Sequence, residues 1–475
     1  MIGPQALIQV IQLGYAAVAS RLLSPSDFGS YATALAAVGL LGLFANVGLD
    51  AAMSRSAEQS AAETRSVATF AVIVGGFLGV VTFALAQPWA TLWGDSSAAG
   101  IIRVMALGVA LVPLSAVVSG ISRNRGRFRQ LAILTATLLI AGMVVSVFGL
   151  WLWGSPLFLP VPGVAVQCGV PLLSSIAIGD WLLPGRLKRS SLHHVKFGGK
   201  ALATNLFEYS GWMVLQFAVS RGLGAASLGQ LNRAYVFSAA PLQGINSSLA
   251  MVLYPEFGER FDPDRGPAKL QRAAVLSSWL GCILGPLVGA AAFLLIPVVL
   301  GAEWQEAATI SVVLAVAAGA AVSATPLTSY MQASNQFRTY WRIQAWTTLI
   351  YVCGAAYLLV AGNLMAAAMT FFAVNVARWL IVAAVAVRRK TVTMAYLKEI
   401  AVAAMVGSAI LSSGLGIHWL SADSQAAATI SLCVTAVLAA IVWLLRGVTS
   451  ISPLVRDALF VVSTDSADDN GMPSQ

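Results

Sequence analysis

Long apolar stretches recur along the chain, separated by short polar or basic connections. A membrane-spanning helix needs about 20 mostly apolar residues, and about fourteen stretches meet this requirement. They run over roughly residues 4–23, 29–50, 66–86, 100–121, 130–151, 158–182, 199–220, 228–252, 272–300, 305–332, 341–361, 364–387, 395–416 and 425–446. The sixth is interrupted by prolines, so its limits are the least defined. The pattern predicts an all-α polytopic membrane protein of about 14 transmembrane helices.

The composition supports a membrane protein. Of the 475 residues, 58% are hydrophobic and only 10% are charged, whereas soluble domains carry about 25% charged residues. The net charge of +9 does not indicate nucleic-acid binding, because the basic residues lie in short loops between apolar stretches. The four cysteines have no paired spacing and no nearby histidines, so we expect no disulfide, no metal site and no cofactor.

The basic residues alternate between connections. Every second connection is rich in Lys and Arg, while the opposite set contains only Arg21 and Arg221. Because Lys and Arg stay on the cytoplasmic side, both termini are predicted to lie in the cytoplasm. The connections on the opposite side are too short to hold a soluble domain.

A short motif near the start of the chain recurs two hundred residues later. Residues 21–31 read RLLSPSDFGSY and residues 221–231 read RGLGAASLGQL. Six predicted helices separate the copies, so both copies enter the membrane in the same orientation. This is a parallel repeat, which predicts two pseudo-symmetric six-helix bundles with a substrate site between them. The predicted organisation is an N-terminal bundle (1–183), a basic cytoplasmic linker (184–198), a C-terminal bundle (199–390), two additional helices (391–446) and a partly disordered cytoplasmic tail (447–475).

The first and seventh predicted helices each carry a polar stripe. Helical spacing places on one face Gln5, Gln9 and Gln12 of the first helix, and Asn205, Glu208, Tyr209, Trp212 and Gln216 of the seventh. A polar stripe on a spanning helix points away from lipid. Either it holds helices together within each bundle, or both helices line an aqueous cleft between the bundles.

Isolated charges inside predicted spans are candidates for substrate or ion binding, because a charge in the membrane is costly. Arg378, with Asn375 one turn away, is the deepest arginine, and Arg233 lies just inside the eighth helix. Either arginine could bind phosphate; Arg378 could instead pair with a carboxylate, and either could extend to the membrane surface. By its position, Glu208 is expected to be the most buried carboxylate. It could carry a coupling H⁺ or Na⁺ or form a static ion pair.

Asn46 and Asp50 lie one turn apart at the predicted inner end of the second helix. They are candidates for a gate. Asp50 could equally cap the helix beside a basic loop, and the two interpretations remain open.

The segment that follows the first helix resembles the N-terminal signature of the polysaccharide biosynthesis flippases. It reads SRLLSPSDFGSYATALAAVGLLGLFANVGLDAAMSRS, and the stretch LGQLNRAYVFSAAPLQGINSSLAMVLYPEF resembles the start of that family's C-terminal half. The family belongs to the multidrug/oligosaccharidyl-lipid/polysaccharide exporter superfamily. The resemblance covers roughly residues 4–390.

The resemblance implies a function. Such proteins move undecaprenyl-pyrophosphate-linked oligosaccharides across the bacterial cytoplasmic membrane by alternating access, for O-antigen, exopolysaccharide or capsule synthesis. The implied partners are this lipid-linked oligosaccharide, membrane lipids, a coupling H⁺ or Na⁺ and the polysaccharide-assembly machinery, and we expect a monomer. A drug/cation antiporter of the same superfamily is the alternative. A polysaccharide-assembly enzyme is disfavoured, because no catalytic set appears at the membrane surface.

Overall fold

A computed structural model describes residues 2–45, 61–177, 199–257 and 266–420, and these residues form helices without any β-strand. The thirteen long helices are α1 (Ile2–Leu22), α2 (Pro25–Ala45), α3 (Ala61–Trp93), α4 (Ala98–Asn124), α5 (Phe128–Trp153), α6 (Val161–Ala177), α7 (Gly199–Leu223), α8 (Ala225–Phe257), α9 (Gly266–Leu300), α10 (Gln305–Ala333), α11 (Phe337–Ala361), α12 (Leu364–Arg388) and α13 (Ala395–Leu420). Short 3₁₀ turns occupy Pro156–Phe158 and Ala302–Trp304. The prediction of an all-α polytopic chain is confirmed, and the fourteenth predicted helix, 425–446, lies outside the described residues.

Eleven helices in the described ranges contain a stretch long and apolar enough to cross a membrane. Several helices are longer than predicted. Helices α3 and α8 have 33 residues each and α9 has 35, or roughly 50 Å at 1.5 Å per residue. That length exceeds the bilayer core of about 30 Å, so these helices continue past the apolar stretch from which their limits were predicted.

The described residues group into two compact units. The first comprises the chain up to Arg233 together with Val299–Trp304 and Tyr351–Ala367, and the second comprises the remainder from Ala234 onwards. Three segments that lie apart in sequence are thus brought into the first unit, and they include the start of α8 and the end of α9. The predicted boundaries of the two six-helix bundles stay a prediction.

Small residues and apolar stripes build the interior of each unit. In the first unit, alanines of α2 and α3 pack against Ile101 and Ile102 of α4. In the second unit, Leu270, Leu327 and Tyr396 belong to one buried cluster that α9, α10, α12 and α13 share. Small side chains let membrane helices approach closely, and such contact replaces the hydrophobic drive that lipid does not supply.

Candidate functional site

The two copies of the repeated turn contact each other within the first unit. A methyl group on Gly29 would overlap the carbonyl oxygen of Ala225, and one on Gly229 would overlap that of Pro25. Positions 25 and 29 therefore meet positions 225 and 229 reciprocally, as across a local two-fold axis. We call this contact, with the flanking connections 93–97 and 299–304, the repeat seam.

The repeated arginines lie at the C-terminal ends of helices from the opposite half of the sequence. Arg21 Nε donates a hydrogen bond of 2.7 Å to the carbonyl oxygen of Val299, in the last turn of α9. The Arg221 guanidinium packs against Gly94, just after α3; a Cβ on that glycine would lie 3.0 Å from Arg221 Nη1. The last carbonyls of a helix lack intrahelical partners and carry partial negative charge. Arg21 therefore stabilises the end of α9, and Arg221 places its positive charge beside the residue that follows α3.

Neighbouring residues also form hydrogen bonds between the two copies of the repeat. The Ser220 hydroxyl donates to the carbonyl oxygen of Trp93 at 2.9 Å, and Trp304 Nε1 donates to the carbonyl oxygen of Ser20 at 3.2 Å. Residues 20–21 thus contact the end of α9, and residues 220–221 contact the end of α3. The arginine, turn and glycine of each copy thus all contact the other copy or the helix end beside it.

Arg233 lies beside the seam and is buried. Its side chain is 5% exposed, its guanidinium carbon lies 4.1 Å above the centre of the Phe28 ring, and Nη2 donates to Asn232 Oδ1 at 2.9 Å. Its buried Nε has no hydrogen-bond partner, and no ion pair to Arg233 occurs among the described residues. The cation–π contact compensates part of the cost of burial. It leaves a positive charge with unused donor capacity.

The side chains of the predicted polar stripe on α7 fall into two kinds. The Tyr209 hydroxyl donates to the carbonyl oxygen of Ala36 in α2 at 3.0 Å, so this side chain holds two helices together. Gln216 is buried, while Gln12 of α1 and Trp212 are half-buried. The packing interpretation thus holds for Tyr209, and a role in a cleft stays a prediction for the others.

The expected burial of Glu208 is wrong. Its side chain is exposed, because depth along a helix does not determine which way a residue faces. Among the described residues, Asp95 is the buried carboxylate, at 8% exposure. It lies before α4, where one carboxylate oxygen accepts from the backbone N–H of Ser97 at 3.2 Å and the other has no hydrogen-bond partner in the described part of the chain. An acidic group in this position stabilises a helix N-terminus.

Arg378 and Asn375 belong to the second unit. Asn375 is buried and donates to the carbonyl oxygen of Phe371 in its own helix at 2.8 Å. Arg378 is half-buried, and its Nε has no hydrogen-bond partner within the described ranges. Their binding roles stay predictions.

Five predicted site residues cannot be placed. The side chains of Gln5, Gln9 and Asn205 lie outside the described part of the structure, as do Asn46 and Asp50 as a whole. No group of three side chains suited to hold a metal ion lies together in the ranges that the structure describes.

The repeat is visible in the sequence, but the sequence alone predicts no role for Arg21, Arg221 or the two glycines. Nor does it predict the contact between Phe28 and Trp304, whose rings meet edge to face at 5.5 Å. The equal offset of two hundred residues between the arginines and between the glycines is the signal that could have identified them.

The fold is that of a multi-pass helical membrane protein. It is similar to the lipid II flippase MurJ in an inward closed conformation, with a TM-score of 0.73 and 12% identity over 96% of this chain and 98% of that one. It is also similar to an inward-facing multidrug resistance MATE family transporter, with a TM-score of 0.61 and 15% identity over 83% of this chain and 99% of the other.

Sequence comparison defines the family. Residues 18–309 match the model of the polysaccharide biosynthesis protein family, and the chain belongs to that family. One relative is the succinoglycan biosynthesis transport protein ExoT of Rhizobium meliloti (strain 1021), 26% identical over 329 residues. The match covers 67% of this chain and 65% of the relative's length.

Proposed function

We propose that the protein is a flippase for lipid-linked oligosaccharide repeat units on an undecaprenyl-pyrophosphate carrier in the bacterial cytoplasmic membrane. It works by alternating access and supplies polysaccharide synthesis outside the membrane. Membership of the polysaccharide biosynthesis family supports the substrate class. The name of the relative from Rhizobium meliloti favours an exopolysaccharide over O-antigen or capsule.

One structural observation carries the choice of an anionic substrate: the buried Arg233, whose Nε donor has no partner and which contacts no carboxylate among the residues that the structure describes. A guanidinium binds phosphate oxygens through directed hydrogen bonds. A pyrophosphate headgroup would supply the missing counter-charge and accept the unused donor. The half-buried Arg378 is the second candidate for the same headgroup, with Asn375, Gln12 and Gln216 as candidates for the glycan.

Reconstitution tests this proposal. Vesicles containing the purified chain receive a fluorescent short-chain isoprenoid pyrophosphate that bears one sugar, and an external reductant bleaches the exposed leaflet. About half of the fluorescence should survive without protein, since two leaflets share the lipid, and nearly all should be bleached with it. If about half of the fluorescence still survives the reductant when active protein is present, the proposal is contradicted. Efflux of a cationic dye from the same vesicles would favour the antiporter alternative.

Arg233→Gln should slow bleaching by at least tenfold, because a phosphate contact from a charged donor contributes about 1.5–3 kcal/mol. Arg103→Gln is the matched control, since Arg103 lies in α4 with an exposed side chain. Equal rates in both variants would remove Arg233 from the substrate site.

Glu208 is proposed as the coupling residue, because it is an acidic group on the predicted polar face of α7. In Glu208→Gln vesicles, an imposed proton or sodium gradient should no longer change the rate. A response equal to that of the parent protein would exclude this role.

A further inference from the structure

Helix α8 combines a weakly apolar sequence with high exposure. Among the eleven candidate spans in the described ranges, its span has the lowest mean hydropathy. Helix α5 is one of the two most apolar, yet the same small share of residues is buried in both spans. The two helices therefore expose similar shares of their spans and differ in the chemistry of the exposed surface.

The exposed positions near the middle of each helix show this difference. Helix α5 exposes large apolar side chains there, such as Ile140 and Phe148. In the middle of α8, the exposed residues are Gly244, Ser247 and Ser248. They lie within about 10 Å of the helix midpoint, at 1.5 Å per residue. Because polar residues at this depth face the protein interior or a water-filled cavity, this side of α8 is expected to contact water.

Two half-buried amides lie next to these exposed positions, and neighbouring groups orient them. Asn246 Nδ2 donates to Gln243 Oε1 at 3.0 Å, and Asn246 Oδ1 accepts from the Thr325 hydroxyl of α10. Gln243 also forms a hydrogen bond with the Tyr235 side chain. An amide carries two N–H donors, and the bond to Gln243 uses one of the two on Asn246. Because the amides are already oriented, a ligand that binds them loses less conformational entropy.

These side chains offer hydrogen-bond donors and acceptors without a charge. The Ser247 and Ser248 hydroxyls each donate at 2.9 Å to a carbonyl oxygen one turn earlier in α8, so their oxygens can accept from a ligand. Between Arg233 and Glu256, α8 has no charged residue. Sugar hydroxyls both donate and accept, and therefore match this surface. A phosphate or an organic cation would be bound best by a group of opposite charge, which this stretch of α8 lacks.

We propose that this side of α8 is a glycan-binding surface, which holds the neutral sugars of the substrate through hydrogen bonds. We call it the α8 polar face, and it consists of Gln243, Gly244, Asn246, Ser247 and Ser248. The proposal rests on the proposed function, which supplies a sugar-bearing substrate. Open space surrounds the position that a side chain on Gly244 would occupy, so a sugar ring can approach the backbone there.

Thiol labelling tests whether the α8 polar face contacts water. In a protein whose four native cysteines are replaced by alanine, Ser248→Cys places a thiol on this face. Val144→Cys is the matched control, because Val144 is exposed on the apolar surface of α5. A charged methanethiosulfonate, present on both sides of reconstituted vesicles, reacts with the thiolate, which apolar surroundings disfavour. Labelling at position 248 should be at least about tenfold faster than at position 144. Equal rates would place the face in lipid and overturn the proposal.

Protection from labelling tests what occupies the face. The probes are an isoprenoid pyrophosphate that bears a trisaccharide and the same lipid without sugar. Only the sugar-bearing lipid should slow labelling at position 248. Equal protection by both lipids would assign the face to the carrier, and protection by neither would leave it to water alone; either result overturns the proposal.

A substitution in the α8 polar face tests the amides. Gln243→Leu should raise the concentration of sugar-bearing lipid that gives half protection by about two- to tenfold, because an uncharged hydrogen bond is lost. Gln305→Leu is the control, since Gln305 is an exposed amide elsewhere in the second unit. Equal values in the two variants would contradict binding by the amides.

The labelling results can be separated from the proposed function. Sugar-dependent protection in a protein that fails to flip the lipid would remove the flippase function and leave the glycan-binding surface standing. Flipping without sugar-dependent protection would do the reverse.

Discussion

The repeat seam and the interior of the second unit both rest on glycine contacts, but they are built differently. In the second unit, Gly281 of α9 and Gly319 of α10 face each other so closely that a methyl on either would overlap the other's carbonyl oxygen. Gly407 of α13 makes a similar contact with the Cys282 carbonyl oxygen. These glycines lie in the middle of long helices, surrounded by buried side chains, whereas those of the seam lie near helix ends.

Buried hydroxyl groups reinforce the second unit, and the seam has one as well in Ser220, whose hydroxyl donates to the Trp93 carbonyl oxygen at 2.9 Å. The Tyr396 hydroxyl, fully buried, lies 3.1 Å from Ser278 Oγ and accepts from Trp379 Nε1 at 3.4 Å. Close to it, Trp279 Nε1 donates to a Glu399 carboxylate oxygen at 3.3 Å. The glycine contacts of the second unit thus lie in the middle of helices, whereas those of the seam join helix ends.

The difference between the seam and the second unit can be tested by adding the same methyl group to a glycine of each. The larger effect on stability is expected in the second unit. Gly281→Ala should destabilise the protein by about 2–3 kcal/mol, because mid-helix overpacking cannot be relieved by moving one helix end. The thermal unfolding midpoint in detergent measures this. Gly76→Ala, with open space around it, is the control, and an equal midpoint in both variants would contradict the assignment of a rigid core.

Tyr396→Phe should have the next largest effect, a loss of about 1 kcal/mol, because it removes the shared hydroxyl and leaves Trp379 Nε1 without that acceptor. The unfolding midpoint again measures it. Tyr357→Phe serves as the control, since that side chain is exposed. A Tyr396 variant as stable as the control would show that the hydroxyl network does not hold the second unit.

Gly229→Ala should change stability least, by under about 0.5 kcal/mol, because its overlap with the Pro25 carbonyl oxygen lies near helix ends, which shift more readily than the middle of a helix, and alanine favours the helix by about 0.8–1 kcal/mol over glycine. Flipping in vesicles should nevertheless fall several-fold, since the methyl group keeps the two repeated turns from meeting. Gly244→Ala lies on the same helix in open space and should leave both quantities unchanged. A stability loss as large as that of Gly281→Ala would erase the difference between seam and core.

Much of the fold could be predicted from sequence, because the apolar length that crosses a bilayer is a local property. Helices α10 and α12 were predicted to within one residue at each end. The limits of α3 and α8 were predicted too short, because their ends leave the apolar region where hydropathy gives no signal.

The candidate site could be predicted only in part. Arg233 was selected correctly as a charge inside a span, but its position above Phe28 depends on how α8 packs against α2, which is tertiary information. The burial of Glu208 was predicted wrongly for the same reason. The depth of a residue along a helix follows from the local sequence, but the direction in which its side chain points depends on how the helices pack. The repeat at residues 21 and 221 identified the important turns without revealing that each arginine reaches the other copy's helix.

The crossed arginines have a consequence for a chain that repeats its own plan. In a symmetric pair of identical subunits, one arginine codon would specify both contacts, and a single substitution would damage both. Covalent fusion of the copies lets each contact be adjusted alone, and here the two already differ: Arg21 makes a hydrogen bond to a carbonyl, while Arg221 rests on a glycine. The two contacts can therefore differ in strength, which a single codon shared by identical subunits would not allow.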